Sequence, residues 1–248
     1  VYRLIALMLL WVCNQSLAKE FNINISEGLS FHLAKEQIED IFTRIYGPLD
    51  IQPSFHYLPT QRGLQWVDSG RFDAEAGRAA NEMSAYTQLI AIPTPLATVR
   101  LAVFCLKPEL CHISNDSDII TIEGSLITTS FCRRTKLTCH GVKNNVSAFQ
   151  ALTRHHSDQL LATDHFSIGS LCSSGLNKIY MRILPAKGIV IRHYIHKKHQ
   201  ALVPKLDSII QGMMKSGEFA AFIDRINNGF ADCDGEIIKL TNHVPASL

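Results

Sequence analysis

Hydrophobic and polar residues alternate from Phe21 to Ser26, with Phe21, Ile23 and Ile25 on one side, which predicts a strand ended by Glu27-Gly28. The period then changes. Ala34, Ile38, Ile41, Phe42 and Ile45 fall at i, i+4, i+7, i+8 and i+11, the single apolar stripe of a helix that Gly47-Pro48 stops. A second strand is predicted over Ile51–Tyr57. After Pro59-Thr60 comes a short helix carrying Leu64 and Val67, closed by Ser69-Gly70, and Phe72–Ala76 reads as a third strand. Strands alternating with helices imply a mostly parallel sheet with helices packed on its faces.

From Leu89 to Phe104 the chain is apolar and β-branched, interrupted by Pro93 and Pro95 and alternating at Val99, Leu101 and Val103, as expected of a strand leaving one lobe for another. Lys107–Asp118 is polar and turn-rich. Ser125–Phe131 reads as a strand ending at Cys132-Arg133-Arg134. A helix around Ser147–Arg154 and a strand at Gln159–Thr163 repeat the β/α alternation, so a second lobe built like the first is predicted. Gly188–Tyr194 is a β-branched strand able to carry the chain back. Leu202, Leu206, Ile209, Ile210 and Met213 define a long helix with Pro204 in its first turn, and Ser216-Gly217 separates it from a last helix, Phe219–Ile226.

Composition narrows the class. The 248 residues are 46% apolar and 19% charged with a net charge of +2, which predicts a globular chain without an extended nucleic-acid or anionic-membrane face. Arg3, the apolar run Leu4–Val12 and the small-x-small site Ser16-Leu17-Ala18 read as a signal peptide over residues 1–18, cleaved near Ala18; a retained N-terminal anchor is the other reading. Beyond it stand Cys105, Cys111, Cys132, Cys139, Cys172 and Cys233, an even set that suits an oxidising compartment. Short spacing favours pairing Cys105 with Cys111 and Cys132 with Cys139. No C-x-x-C pair suggests a metal, and the histidines at His155-His156 and at His196 and His199 read as solvated surface. The G-x-S-x-G, P-loop, G-x-G-x-x-G and H-E-x-x-H patterns are missing, so the chain is read as a binding protein without cofactor or metal rather than an enzyme.

Particular residues carry a family resemblance. Tyr57-Leu58-Pro59-Thr60-Gln61-Arg62-Gly63-Leu64, then Ser69-Gly70-Arg71-Phe72-Asp73-Ala74-Glu75 with Arg78, Ile92-Pro93-Thr94-Pro95-Leu96, Ile122-Glu123-Gly124-Ser125-Leu126 and His193–His199 together resemble the amino-acid (family 3) type of extracellular solute-binding proteins. The resemblance implies a type II periplasmic-binding-protein-like α/β fold with a ligand cleft between two lobes. Lobe one would be 19–95 completed by 196–248, and lobe two 107–185. Crossovers at 96–106 and 186–195 would join them. It further implies a monomeric periplasmic receptor for a small polar solute, an amino acid or related carboxylate, delivered to an ABC-type permease or shown to a membrane receptor. A free-standing sensor or interaction protein on the same scaffold is the alternative. The sequence departs from the family pattern at His155-His156-Ser157-Asp158, an end of the cleft expected to be altered, and at Ala74-Glu75-Ala76-Gly77 before Arg78.

Five residues are the expected ligand contacts. Arg78, after a strand and a glycine, offers a planar fork that binds a carboxylate through two parallel hydrogen bonds, unless it is a surface arginine. Glu27, ending the first strand, could receive a ligand ammonium or cap the next helix. Tyr57 could offer an aromatic wall, as could Trp66 if it is not core. Arg133 could close on an anion or sit in a basic surface loop. Asp164, after the strand Gln159–Thr163, could face the cleft or cap a helix; as acid and base, Glu27 and Asp164 would serve an enzyme on this fold.

Overall fold

The computed structural model describes residues 20–27, 35–164, 168–228 and 234–241; the expected signal peptide and Cys233 lie outside them. The chain opens with β1 (Phe21–Ser26), α1 (Lys35–Tyr46), β2 (Pro53–Leu58), α2 (Thr60–Asp68) and β3 (Ala74–Ala79), whose strands run parallel in the order β2-β1-β3. After β4 (Leu89–Ala91) and β5 (Ala97–Val99) it crosses to a second sheet. There lie β6 (Leu101–Cys105), β7 (Asp118–Ile122), α3 (Leu126–Thr135), β8 (Thr138–Val142), α4 (Asn145–Thr153), β9 (Gln159–Thr163), α5 (Ile168–Ser173) and β10 (Lys178–Ile183). The chain returns along β11 (Ile189–His196), then forms α6 (Val203–Lys215), α7 (Glu218–Asn228) and β12 (Glu236–Lys239).

Each sheet repeats one plan. In the first, β11 enters antiparallel beside β3 and pairs also with β4 and β5, giving β2-β1-β3-β11-β4. In the second, β6 enters antiparallel beside β9, giving β12-β10-β6-β9-β7-β8. The crossing strands stay paired, β5 on β11 and β6 on β10, so the hinge is a two-stranded ribbon.

Burial follows the sequence periods. Phe21, Ile23 and Ile25 pack on Ile38, Ile41, Phe42 and Ile45 of α1 and on Leu206, Ile210, Phe219 and Phe222. In β6 alternate residues feed two cores, Phe104 toward Phe149 and Leu160, Val103 toward Cys132 and Leu161, because both faces of this sheet are covered. Cys105–Cys111 and Cys132–Cys139 are disulfides, and Cys172 is disulfide-bonded as well.

Two expectations are corrected. Ser125–Phe131 is not a strand: Ser125 accepts a hydrogen bond from the Thr128 amide as the N-cap of α3, and Thr128 and Cys132 bury one turn apart. Capping and packing override the β-branched propensity of Ile127-Thr128-Thr129. Nor does everything after residue 195 complete the first lobe, because β12 pairs parallel with β10 at the edge of the second sheet.

One irregularity positions the site. Ile191 and Arg192 pair with Ala79 and Arg78, whereas Tyr194 and Ile195 pair with Glu75 and Ala74, so Ala76 and Gly77 together face His193. This is a β-bulge in β3. The fully buried His193 places Nδ1 2.9 Å from Glu75 O and 3.2 Å from Ala76 O, so Nδ1 carries the proton, and Nε2, 2.7 Å from Tyr46 Oη, accepts from it. Burial drives His193 down to about 4, against the two carbonyls that favour its charge.

A His held neutral in the fold and free to protonate when unfolded favours the folded state fully above about pH 6.5, and that contribution fades as pH falls toward about 4. From this group, stability should drop by about 3 kcal/mol over that interval. Urea unfolding at stepped pH checks it, and His193→Gln should lose this share of the slope.

Candidate functional site

Where the two lobes meet, a cavity of about 240 Å³ is lined from both sides. The first lobe supplies Ser26, Phe42, Arg78, Glu82, Phe219 and Phe222; the second supplies Gly124, Ser125, Leu126, Ile127, Leu161 and Thr163; the hinge supplies Leu96, Ala97 and Val99. The location follows from topology, since parallel strands followed by helices open a crevice at their carboxyl ends. The lobes touch across it, Thr60 Oγ1 donating to Gly124 O at 3.3 Å.

Arg78 is the main charged group of the first-lobe wall. In a regular strand Glu75 and Arg78 would point to opposite faces; the bulge at Ala76-Gly77 rephases β3 and brings them together. Nη2 of Arg78 lies 3.0 Å from Oε1 of the fully buried Glu75, an ion pair out of hydrogen-bond alignment, while Asn24 Nδ2 donates to Glu75 Oε2 at 2.5 Å. Burial lifts the Glu75 carboxyl above its ordinary range despite the opposing pull of Arg78 and Asn24. Arg78 is only 9% exposed, and its Nε and Nη2 have no hydrogen-bond acceptor among the described residues. Arg78 lines the cavity, and a guanidinium on such a wall suits the two-pronged recognition of a carboxylate.

The second lobe adds a helix end. Gly124–Thr128 turns the N-terminus of α3 into the cavity wall, where the Leu126 and Ile127 amides precede the first intrahelical bonds. That end of a helix favours negative charge.

The other expected contacts are elsewhere. Glu27 follows β1 half-buried and is not in the cavity lining, although its neighbour Ser26 is. Tyr57 donates to Glu39 Oε1 at 2.6 Å and lies under Lys35 Nζ at 4.3 Å, which ties it to α1 away from the cavity. Trp66 is covered by Arg71, 3.6 Å from its ring. Arg133 is exposed in the last turn of α3, seven residues, or roughly 10 Å of rise, past the end that faces the cleft, so it lines a separate surface hollow beside the Cys132–Cys139 disulfide. Asp164 accepts from Arg100 N and Nε, both at 2.8 Å, and its own amide donates to Arg100 O, so its carboxylate clamps the first crossing strand to β9 rather than lining the cavity.

His155-His156 follows α4 where the chain approaches the start of β9, the end of the sheet opposite the cleft, which removes the expected alteration from the cavity. Glu75 and Glu82 were not among the expected contacts. For Glu82 the signal was a lone acid in a polar turn; for Glu75 it was an acid at an inward strand position. Among the described residues no group of three or more His, Cys, Asp or Glu could hold a metal ion, and no helix is long and apolar enough to cross a membrane.

Two α/β lobes on a paired-strand hinge, with a cavity between them, are the two-lobed type II periplasmic-binding-protein fold. The chain resembles the GluR0 ligand-binding core complexed with L-glutamate at a TM-score of 0.69 and 8% identity, covering 85% of this chain and 99% of that one. It resembles AbpA of Streptococcus pneumoniae bound to L-arginine at a TM-score of 0.65 and 12% identity (84% and 94% covered). The VFT2 domain of Bordetella pertussis BvgS gives a TM-score of 0.65 and 12% identity (82% and 91% covered). No protein-family model matches the sequence, and no curated protein matches it.

Gly63 tests the platform beneath Arg78. It packs so close to β1 that a Cβ would overlap the Asn24 amide. Gly63→Ala should therefore displace Asn24 from Glu75 and destabilise the fold by about 1–3 kcal/mol, read as a lower urea midpoint at unchanged m-value.

Proposed function

We propose that this protein is an exported, periplasmic solute receptor that captures a small carboxylate-bearing molecule between its lobes and delivers it to an ABC-type importer. The observation that carries the reading is the Arg78 guanidinium on the wall of a cavity assembled from both lobes. The fold supports it, since amino acids occupy the related structures named above: L-glutamate in the GluR0 core and L-arginine in AbpA. Delivery to an importer rests on the family resemblance.

Capture follows from geometry. A carboxylate on Arg78 also meets the N-terminus of α3, so one anionic group engages both lobes only when they are closed. A ligand with more contacts in the closed state shifts the lobes toward it. The Arg100–Asp164 clamp fixes where the hinge strand leaves the second sheet.

A thermal-shift screen against amino acids and small carboxylates should raise the unfolding midpoint with at least one of them, by mass action on the native state. Arg78→Ala should weaken that ligand by roughly 100-fold or more, because truncation leaves a buried carboxylate unpaired; Arg78→Lys should recover only part, since a point charge cannot make the two-pronged contact. Unchanged affinity in Arg78→Ala would overturn the assignment.

A further inference from the structure

We propose that the outer edge of β8 docks an acidic, extended segment of a partner protein, which adds to the second sheet as a further strand. No residue of β8 lines the cleft cavity, so this surface is independent of the solute held there. β8 ends the order β12-β10-β6-β9-β7-β8, and among the described residues it pairs with β7 alone. The Glu123 amide donates to Val142 O at 2.9 Å, which turns the Val142 backbone toward β7. Backbone direction alternates along a strand. The N–H and C=O groups of Cys139 and Gly141 therefore point away from β7, where an added strand would lie.

The edge is open by composition. Sheet ends are usually protected by proline, by charge within the strand or by shortness. Here β2 opens with Pro53, β4 has three residues, and β12 carries Glu236 and Lys239. Thr138–Val142 has five residues with neither proline nor a fixed charge, and Thr138, His140 and Gly141 are exposed. His140 is engaged sideways, its Nε2 2.8 Å from Asp118 Oδ1 of β7.

The side chains of β8 sort onto two faces. Val142 packs with Ala148 and Phe149 of α4, while Cys139 is bonded to Cys132 of α3. Gly141 shares the α3 face and has no side chain, and a hollow of about 530 Å³ opens there. Thr121, Thr129, Arg133 and Lys136 line it, with Glu123 lying over Gly141, where a Cβ would come within 2.8 Å of Glu123 Cγ. An added strand sends every second side chain toward this face. Main-chain bonds to Cys139 and Gly141 would hold the segment, and the hollow would read those side chains.

Charge identifies the occupant. From Gly124 to Ser157 the sequence has no Asp or Glu, yet it has Arg133, Arg134, Lys136, Lys143 and Arg154. These cations outnumber the net charge of +2 of the whole chain, so the remainder is net negative. Lys136 stands two residues before β8 and Lys143 directly after it, both exposed, with Arg133 and Arg134 exposed in the adjoining last turn of α3. A local field of one sign attracts an opposite one and repels its like. A second copy of this chain would bring the same cations to the contact and is disfavoured. An anionic lipid surface would use the charge but not the directed backbone groups.

The test titrates the exported chain with fluorescein-labelled octapeptides. One alternates valine and glutamate, one alternates valine and lysine, and two are forms of the first with every valine nitrogen or every glutamate nitrogen methylated. Methylation keeps the charge and removes the donors along one edge of the peptide strand. In low salt the glutamate peptide should bind with a Kd below about 1 mM, at least about tenfold tighter than the lysine peptide and one of the methylated forms, and should weaken as salt rises. It should slow hydrogen exchange at the Cys139 and Gly141 amides. Arg133→Glu combined with Lys136→Glu should weaken it by about tenfold or more. The proposal is overturned if the glutamate peptide does not bind, if the lysine peptide or both methylated forms bind as well, if the two amides gain no protection, or if the double variant binds unchanged. Binding to phosphatidylglycerol vesicles that the double variant loses, without protection of those amides by the peptide, would assign the edge to a lipid surface and overturn it too. Should the double variant fail to fold, Lys143→Glu and the methylated forms decide.

Discussion

Everything at the cavity depends on the one-residue bulge in β3 and on the histidine that holds it. A bulge leaves backbone carbonyls out of the ladder, and a buried carbonyl without a donor costs free energy comparable to a lost hydrogen bond. His193 resolves this by donating Nδ1–H toward Glu75 O and Ala76 O while accepting from Tyr46 at its other nitrogen. The ring is thereby fixed in one neutral tautomer between a helix and a strand. Because the bulge is stable, Glu75 and Arg78 share a face, and because they share a face Arg78 is turned into the cleft. A core hydrogen bond between α1 and β11 thus determines where a charge stands at the site.

A second buried polar group ties the other end of the same strands. The Asp73 carboxylate accepts from the Asn22 amide and from Lys198 Nζ, each at 2.7 Å, and lies 2.7 Å from His199 Nε2. Burial works to raise this carboxyl, but those partners outweigh it and hold it below its ordinary range. Asp73 therefore joins β1, the start of β3 and the turn after β11 at the base of the sheet, while His193 joins them near the cleft. Residues that look like a surface run, His196-Lys197-Lys198-His199, are in part a clamp on the first lobe.

Much of the fold was legible because its elements obey simple periods. Phe21–Ser26 and Gln159–Thr163 coincide with β1 and β9, and the stripe through Ile38, Ile41, Phe42 and Ile45 faces the core as its spacing requires. The misread element was α3, whose Ile127-Thr128-Thr129 has strand propensity; the decisive feature was Gly124-Ser125, a left-handed glycine before an N-cap. β7 escaped notice because a strand buried on both faces carries little alternation, and β8 because this exposed edge strand, Thr138–Val142, has no apolar face; β10 does alternate, Ile179 and Met181 being buried. At the site, Arg78 was expected near the cleft and does line the cavity, although Gly77 and Arg78 lie within β3 rather than after a strand. Glu27, Tyr57, Arg133 and Asp164 do not line the cavity, because each has a local partner or an outward position that sequence spacing does not reveal. Glu82 also lines the cavity, and a single acid in the polar turn after β3 carries no periodicity that would have marked it.

The cavity wall explains why so few polar groups suffice. In water a guanidinium and a carboxylate several ångströms apart attract weakly, and many solutes could serve as counter-ions. Behind Phe42, Phe219, Phe222 and Leu126, a solute held on Arg78 as proposed would carry the full cost of any polar group it left stranded, so mismatched solutes would be strongly disfavoured. That penalty acts only when the second lobe closes and excludes water. In the proposed receptor, recognition and closure would therefore be one event: open lobes would offer Arg78 a solvated, permissive surface, and closed lobes a dry one that admits a ligand only if its charges match. A two-lobed scaffold whose hinge strands stay paired provides that change of environment without breaking either sheet.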